Sequence, residues 1–405
     1  MNERIIKPEL LAPAGDMERL EFAINYGADA VYLGGKSFGM RANPSNFTFE
    51  QLKRATDFAH SKGVKVYLTA NIVAHNNDIE EYEEFIKNAY DCNIDAAIIS
   101  DIGIMSLTKR IVPDLDIHVS TQAGVANYVT ANELYNMGAK RVVLAREVPL
   151  DEIKQIRDKT PDDLEIEAFA HGAMCVSFSG RCLLSSYLTG RDANHGECAQ
   201  PCRWGYYLME EKRPNQYFKV FEDERGSYIL NAKDLCMIEH IDKLVDAGVT
   251  SIKIEGRAKS SYYVSVVTNA YRHAIDAFMR NETCPQWVYD EVRKVSHREY
   301  CTGFFFGDGK SNQYYENSGY IRNYDIVAVV DKCENGYLYL TQRNKFCKGD
   351  EVEILTIDGA PIVITVDAMF NEHGEEIDSA PHSMMKMKIK SDLVVPPMSI
   401  IRMNK

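Results

Sequence analysis

No apolar run in the 405 residues approaches the roughly 18 that a membrane-spanning helix needs. The first seven residues, Met1 to Lys7, mix charges and lack the apolar core of a signal peptide, so the expected location is the cytoplasm. Basic residues are in deficit, 46 against 59 acidic, for a net charge of −13. That excludes a broadly basic nucleic-acid binder and leaves only local basic patches. No G-x-G-x-x-G fingerprint follows the first apolar run, as a dinucleotide-binding sheet would require. There is no H-E-x-x-H zinc helix, no G-x-S-x-G elbow and no papain-like cysteine signature. Ser179-Gly180 fails as an elbow because no glycine stands two residues before the serine. Gly34-Gly35-Lys36-Ser37 fails as a phosphate-binding loop because Ala30 holds the position of its first glycine. Those two glycines instead let the loop turn tightly or approach a ligand closely.

What is present is ordinary globular composition, 45% hydrophobic and 26% charged, over a length that predicts two or three domains or a barrel with an appendage. The first 280 residues alternate short β-rich runs with helical patterns. The runs are Glu9–Ala12, Ala30–Leu33, Lys65–Thr69, Ala96–Ser100, Ile117–Val119, Arg141–Ala145, Glu165–Phe169 and Ser251–Ile254. Several are almost wholly apolar, as strands covered on both faces should be. Helices are predicted over Met17–Tyr26, Phe49–Ser61, Glu80–Ala89, Val129–Met137 and Asp234–Ala247, with Asp16 and a Thr48/Gln51 capping box as start signals. Gly27, Gly63, Gly138 and Gly248 each stand between a helix and the next strand, where a left-handed cap belongs. Eight βα units predict an α/β fold, a (β/α)8 TIM-like barrel over residues 1–280, with its chemistry at the C-terminal ends of the strands.

The seventh connection breaks the pattern. Strand seven is expected to end near Ala170 and its helix to start near Asp234, leaving a long insertion, residues 171–233, where such loops usually run to 2–6 residues. Five of the ten cysteines, Cys175, Cys182, Cys198, Cys202 and Cys236, fall in or beside it. In a cytosolic chain that clustering points to metal ligation rather than disulfides. Only Cys198-x3-Cys202 has zinc-knuckle spacing, and four thiolates from one long loop suit a [4Fe–4S] cluster somewhat better, with zinc as the alternative. The other five cysteines read as small buried hydrophobes. Residues 281–317 form an aromatic connecting segment. From 318 to 405, short alternating runs with Asn335-Gly336 and Asp358-Gly359 turns predict a small β-barrel.

Glu167-Ala-Phe-Ala-His171-Gly-Ala-Met-Cys175-Val-Ser-Phe-Ser-Gly-Arg181-Cys182-Leu-Leu-Ser185 resembles the signature of peptidase family U32. Pro8 to Asp16, Asp29 to Gly35 and Lys253-Ile-Glu-Gly-Arg257 resemble other motifs of that family, so the likeness spans the barrel. The family includes collagenase-like proteases, tRNA 5-hydroxyuridine synthases, an rRNA cytidine hydroxylase and oxygen-independent ubiquinone-hydroxylation factors. A barrel with a small β-domain of this length is most similar to the tRNA hydroxylation subgroup. The resemblance implies a [4Fe–4S] cluster on Cys175, Cys182, Cys198 and Cys236, with Cys202 as the alternate, a prephenate-type donor, and tRNA as the partner. It also leaves a peptidase and a non-catalytic RNA-binding protein as competing functions, with a partner protein or homo-oligomer as an open question.

Polar residues at strand ends supply the remaining candidates. His171, Glu255 and Gln122 are the candidate catalytic groups. Arg146, Arg257, Asn71 and Arg41 are the candidate substrate-binding groups. Arg146 and Arg257 flank the cysteine-bearing loop, and a guanidinium fork matches a carboxylate. Glu147 and Glu255 are the ion-pair partners that would make these arginines merely structural, and Asp101 is a strand-end residue suited to capping. Lys253, inside its strand, predicts a buried pair with a neighbouring carboxylate. Arg181, Arg191, Arg203, Trp204, Tyr206 and Tyr207 combine arginine with aromatics, a pattern that stacks unpaired bases but is more often core.

Overall fold

The computed structural model describes residues 7–39, 46–175, 182–204, 233–307 and 320–405, with the pairs 208–209, 217–218, 222–223 and 226–227. Arg41, Arg181, Tyr206 and Tyr207 lie outside the described residues, as does the side chain of Arg203.

Seven parallel strands follow one another around a cylinder: β1 (Glu9–Pro13), β2 (Ala30–Gly34), β3 (Lys65–Ala70), β4 (Ala96–Ile99), β5 (Asp116–Val119), β6 (Arg141–Val143) and β7 (Glu165–Ala173). Ser251–Ile254 is the eighth. It pairs in parallel with both β7 and β1, with Ser251 opposite Glu167 on one side and Glu9 on the other, and so closes the barrel. Between the strands run α1 (Met17–Asn25), α2 (Phe49–Ser61), α3 (Asn76–Asp91), α4 (Ile102–Ile111), α5 (Tyr128–Asn136) and α6 (Leu150–Asp158). The start signals work as their chemistry requires. Asp16 accepts from the Arg19 amide, and Thr48 and Gln51 form a reciprocal capping box. Asp101 likewise caps α4 through the Ile104 amide, the capping role expected for it. Gly27, Gly63, Gly138 and Gly248 all have φ between 71° and 99°, the left-handed region that ends a helix cheaply only at glycine. Among the described residues no helix is long and apolar enough to cross a membrane.

The seventh connection differs from expectation. β7 runs on to Ala173 rather than ending near Ala170, and Asp234–Ala247 is not one helix. Asp234–Cys236 is a strand antiparallel to the end of β7, pairing Asp234 with Ala173 and Cys236 with His171. The helix proper, α8, covers only Ile241–Asp246. The acidic start Lys-Asp-Leu-Cys carries a helix-cap look, but Asp234 is buried and its carboxylate accepts from the Arg298 amide instead. The insertion therefore occupies residues 174–233. It contains α7 (Leu184–Thr189) and the 3-10 turns Ala193–His195 and Pro201–Arg203.

After the long α9 (Ser261–Met279), the connecting segment is partly regular, with α10 over Gln286–Glu291 and a short strand, Tyr300–Cys301, on the edge beside Asp234–Cys236. The C-terminal strands form one antiparallel sheet of eight whose ends are not joined to each other, a half-barrel rather than a closed one. Its own core is Val327, Leu338, Leu340, Phe346, Ile354, Met387, Ile389 and their neighbours. A buried ionic knot ties it to α10 of the connecting segment. Arg402, fully buried, donates to both carboxylate oxygens of Glu291 at 2.7 and 2.5 Å and to Glu353 at 2.7 Å. Tyr26 of α1 donates to the Leu355 and Met398 carbonyls across the same seam.

Candidate functional site

A cavity of about 170 Å³ opens at the C-terminal end of the barrel strands, the face that barrel architecture predicts. Asn71, Gln122, Arg146, Glu147, Glu255 and Arg257 line it, with Cys175, Cys182, Cys198 and Cys202 from the insertion. Strand ends thus meet the cysteine-bearing loop at one place. Cys175 is exposed, and Cys182, Cys198 and Cys202 are half-buried. An enclosed group and bulk solvent can therefore both reach the thiols.

One wall is a polar row. Asn71 Nδ2, after β3, donates to Gln122 Oε1 at 2.8 Å, and Ser120 Oγ donates to the same oxygen at 3.0 Å. Gln122 sits in a 3-10 turn, Thr121–Ala123, ended by Gly124 at φ 73°. The Gln122 amide nitrogen is thereby oriented by the two bonds on its oxygen. The cations come from the ends of β6 and of the eighth strand. Arg146 Nη1 donates to the Ala173 carbonyl at 2.7 Å, and its guanidinium carbon lies 3.9 Å from the centre of the Phe169 ring. Arg257, almost fully buried, donates to the Thr69 hydroxyl at 2.8 Å. Glu255 accepts from the Tyr32 hydroxyl at 3.3 Å. Burial drives the Tyr32 phenol well above its usual range, and the nearby Glu255 carboxylate adds to that against the pull of Arg257 and Arg146.

The glycines of Gly34-Gly35 answer a different need from the one expected. Neither has positive φ. A Cβ on Gly34 would fall 2.7 Å from Arg257 Nη1, and one on Gly35 would fall 3.0 Å from the Phe85 ring. Gly34 makes room for the arginine itself.

His171 is not in the cavity. Lys253 pairs with Phe169 while the next residue, Ile254, pairs with His171, so β7 carries one extra residue, Ala170, at this point. Such a bulge shifts the alternation of faces by one. Phe169 therefore faces the cavity and His171 faces a cage of Tyr263, Tyr271 and Tyr300, its ring 5.2–6.0 Å from theirs. Complete burial, with a smaller push from His297 and Lys259, lowers its pKa to about 3, so the ring is neutral. Among the described residues, its Nδ1 is buried with no hydrogen-bond partner. Cys236, the residue opposite His171 in the antiparallel pair, also lies away from the cavity lining. Burial raises its thiol to about 11. Cys202, by contrast, lines the cavity with the other three.

Beneath the cavity is a layer that sequence reading anticipated only in part. Lys253 Nζ donates to Glu167 Oε1 at 2.7 Å, the buried pair expected of it. The missed member is Arg141. It reaches Glu9 and Glu167 at 2.7 and 2.9 Å and Glu165 at 2.6 Å, all from the opening residues of their strands. Four charged residues recur at the starts of strands, Glu9, Arg141, Glu165 and Glu167, and that recurrence was the available signal. Arg191 and Trp204 stand exposed on the insertion, so the described aromatic of the arginine-aromatic group is not core.

The chain matches the model of peptidase family U32 over residues 15–314 and that of the peptidase family U32 C-terminal domain over residues 322–402. A tRNA hydroxylation protein P1 from Bacillus subtilis (strain 168) is 38% identical over 406 residues, covering 98% of this chain and 95% of that protein. A 23S rRNA 5-hydroxycytidine C2501 synthase from Escherichia coli (strain K12) is 40% identical over 271 residues, covering 67% of this chain and 40% of that one. A collagenase from Porphyromonas gingivalis (strain ATCC BAA-308 / W83) is 36% identical over 313 residues, covering 74% and 73% respectively.

Proposed function

Because this chain belongs to peptidase family U32, we propose that it is a tRNA-modifying enzyme that hydroxylates C5 of a uridine without molecular oxygen, at the cavity that joins the insertion to the barrel mouth. The observation that carries the reading is the convergence of four thiols, two arginines and an oriented amide row on one enclosed space. The near full-length relative named for tRNA hydroxylation supports the substrate class.

The thiol set fits a [4Fe–4S] cluster in chemistry, since soft thiolates gathered from one loop are its usual ligands. Cys175, Cys182 and Cys198 supply three ligands. Cys236, named by the family resemblance, or Cys202, which lines the cavity, supplies the fourth, and separate Ser substitutions with iron and sulfide analysis decide between them. Zinc without iron in the purified protein would mark the site as structural instead. A bound cluster would supply one-electron transfer, while the donor would supply the oxygen atom and take the electrons. Arg146 and Arg257 bind the carboxylates of a prephenate-type donor as guanidinium forks. Asn71, Ser120 and Gln122 orient the uracil edge, and Glu255 takes the proton lost from C5. Replacing that hydrogen by hydroxyl removes two electrons from uridine; the donor, R–OH, takes them as its C–O bond breaks, and its carbon gains the proton from Glu255 to leave as R–H.

A peptidase is the second reading, favoured by the relative named collagenase. Against it, no histidine lines the cavity among the described residues, and His171 faces its aromatic cage rather than the thiols. Nucleoside mass spectrometry of tRNA from a deletion strain tests the proposal. Loss of 5-hydroxyuridine derivatives supports it; unchanged nucleosides together with robust peptide cleavage overturn it.

A further inference from the structure

A second group of ligating side chains lies outside the cavity. His75 is the last residue before α3, and Asp78 stands in that helix's first turn. Asp192 and His195 belong to the 3-10 turn of the insertion. One ligand atom each from His75, Asp192 and His195 approach within 4.8 Å of one another. His195 contacts Asp192 Oδ2 through Nδ1 at 3.0 Å and Asp78 Oδ2 through Nε2 at 3.1 Å. The two imidazole rings are 4.8 Å apart, centre to centre. None of the four residues lines the cavity.

We propose that His75, Asp192 and His195 bind a divalent transition-metal ion, with Asp78 holding the far ring nitrogen of His195, and that this ion staples the cysteine-bearing insertion to the third βα loop of the barrel. Two imidazoles and one carboxylate, with solvent completing the shell, are borderline-to-hard donors. They suit Zn2+, Co2+ or Ni2+, and nothing in the set is a thiolate. Donors at the roughly 2.0–2.1 Å bonds of a tetrahedral site stand about 3.4 Å apart, and the three ligand atoms here lie within 4.8 Å of one another. His75 is exposed and the other three are half-buried, which gives an ion a route in. The backbone is already held in register: the Val73 amide donates to the Asn194 carbonyl at 3.1 Å. Asn194 Oδ1 in turn accepts from the Cys182 amide at 3.3 Å. The turn that carries two of the ligands therefore touches the barrel on one side and a candidate cluster cysteine on the other. The site does not depend on the function proposed for the cavity, since it shares no ligand with it.

Co2+ titration of the full-length protein, followed by optical absorption, tests the assignment. Nitrogen and oxygen ligands give visible d–d bands alone, whereas thiolates add a sulfur-to-cobalt charge-transfer band in the near ultraviolet. The expected result is one equivalent of Co2+ that gives d–d bands without charge transfer, any thiolate-bound Co2+ appearing as a separate equivalent with its own charge-transfer band. His75→Ala and Asp192→Asn should each weaken that equivalent by about 100-fold. Cys182→Ser should leave it unchanged. His75 is exposed, so His75→Ala tests the site even if a change at His195 unfolds the insertion. Co2+ bound only with charge-transfer absorption, or equal affinity in wild type and His75→Ala, would overturn the proposal.

Discussion

The two ends of the barrel handle arginine in opposite ways. At the strand starts, Arg141 is met by three carboxylates, Glu9, Glu165 and Glu167, and is 3% exposed. At the strand ends, Arg146 rests on a backbone carbonyl and the face of Phe169. A guanidinium neutralised by carboxylates is committed to structure. One that donates to a carbonyl and stacks on a ring keeps its charge available to an anion. Lys253 joins the two layers, since it lines the cavity while its ammonium binds Glu167 below. The closed end organises the barrel and the open end is left to chemistry.

The largest expected effect belongs to the closed end. Arg141→Met takes the shared cation from Glu9 and Glu165 and leaves Glu167 with Lys253 alone, and it should cost about 3–5 kcal/mol in denaturant unfolding, the range for breaking a buried charge pair. A loss below about 1 kcal/mol would place this network among surface ion pairs and dissolve the contrast. At the open end, Arg257→Lys and Arg146→Lys keep the charge and lose the fork. Each should weaken prephenate binding by about one to two orders of magnitude, with iron content unchanged. If both keep full hydroxylation at limiting donor, the donor pocket is elsewhere. If either loses iron or unfolds, that arginine is structural, like Arg141.

A pH effect separates the cage from the cavity. The neutral His171 has a folded-state pKa of about 3, below its unfolded value near 6.5. Only the unfolded chain takes up this proton between those values, so the stability present above pH 6.5 is lost progressively as pH falls toward 3. At pH 5 that amounts to about 2 kcal/mol. His171→Phe should flatten this part of the stability profile, and an unchanged profile would show that the ring titrates normally. The smallest effect on stability is expected for Gly34→Ala. The new methyl meets only the movable end of Arg257, so melting should shift little while donor binding weakens as it does in Arg257→Lys. Intact donor binding in Gly34→Ala would show that the arginine has room to spare.

These contrasts bear on what could be read from the sequence. The eight strands and the left-handed glycines at Gly27, Gly63, Gly138 and Gly248 were legible because each depends on local periodicity or on a single φ. Capping by Asp16 and Thr48 was legible for the same reason. Arg146, Arg257, Asn71, Gln122 and Glu255 reach one cavity because barrel geometry gathers strand ends in space. His171 was misplaced by one residue's worth of bulge, a feature set by the register against Lys253 and Ile254 and invisible in a run of apolar residues. The strand Asp234–Cys236 was read as a helix start because three residues are too few to show a period, and its pairing with β7 is a tertiary choice. Arg141 escaped notice because Glu9 on β1 and the Glu165/Glu167 pair on β7 are far apart in sequence from each other and from Arg141. The ligands His75, Asp192 and His195 escaped for the same reason, being distributed between a barrel loop and the insertion.

The central claim is that the thiol-lined mouth, and not the rest of the molecule, performs tRNA hydroxylation. The direct measurement is the 5-hydroxyuridine content of tRNA from a deletion strain carrying wild type, Cys182→Ala or Cys301→Ala. Cys301 lies on the edge strand outside the cavity, so its variant serves as the control for losing a thiol as such. The account predicts full restoration by wild type and Cys301→Ala and none by Cys182→Ala. Restoration by Cys182→Ala to the wild-type level would contradict it.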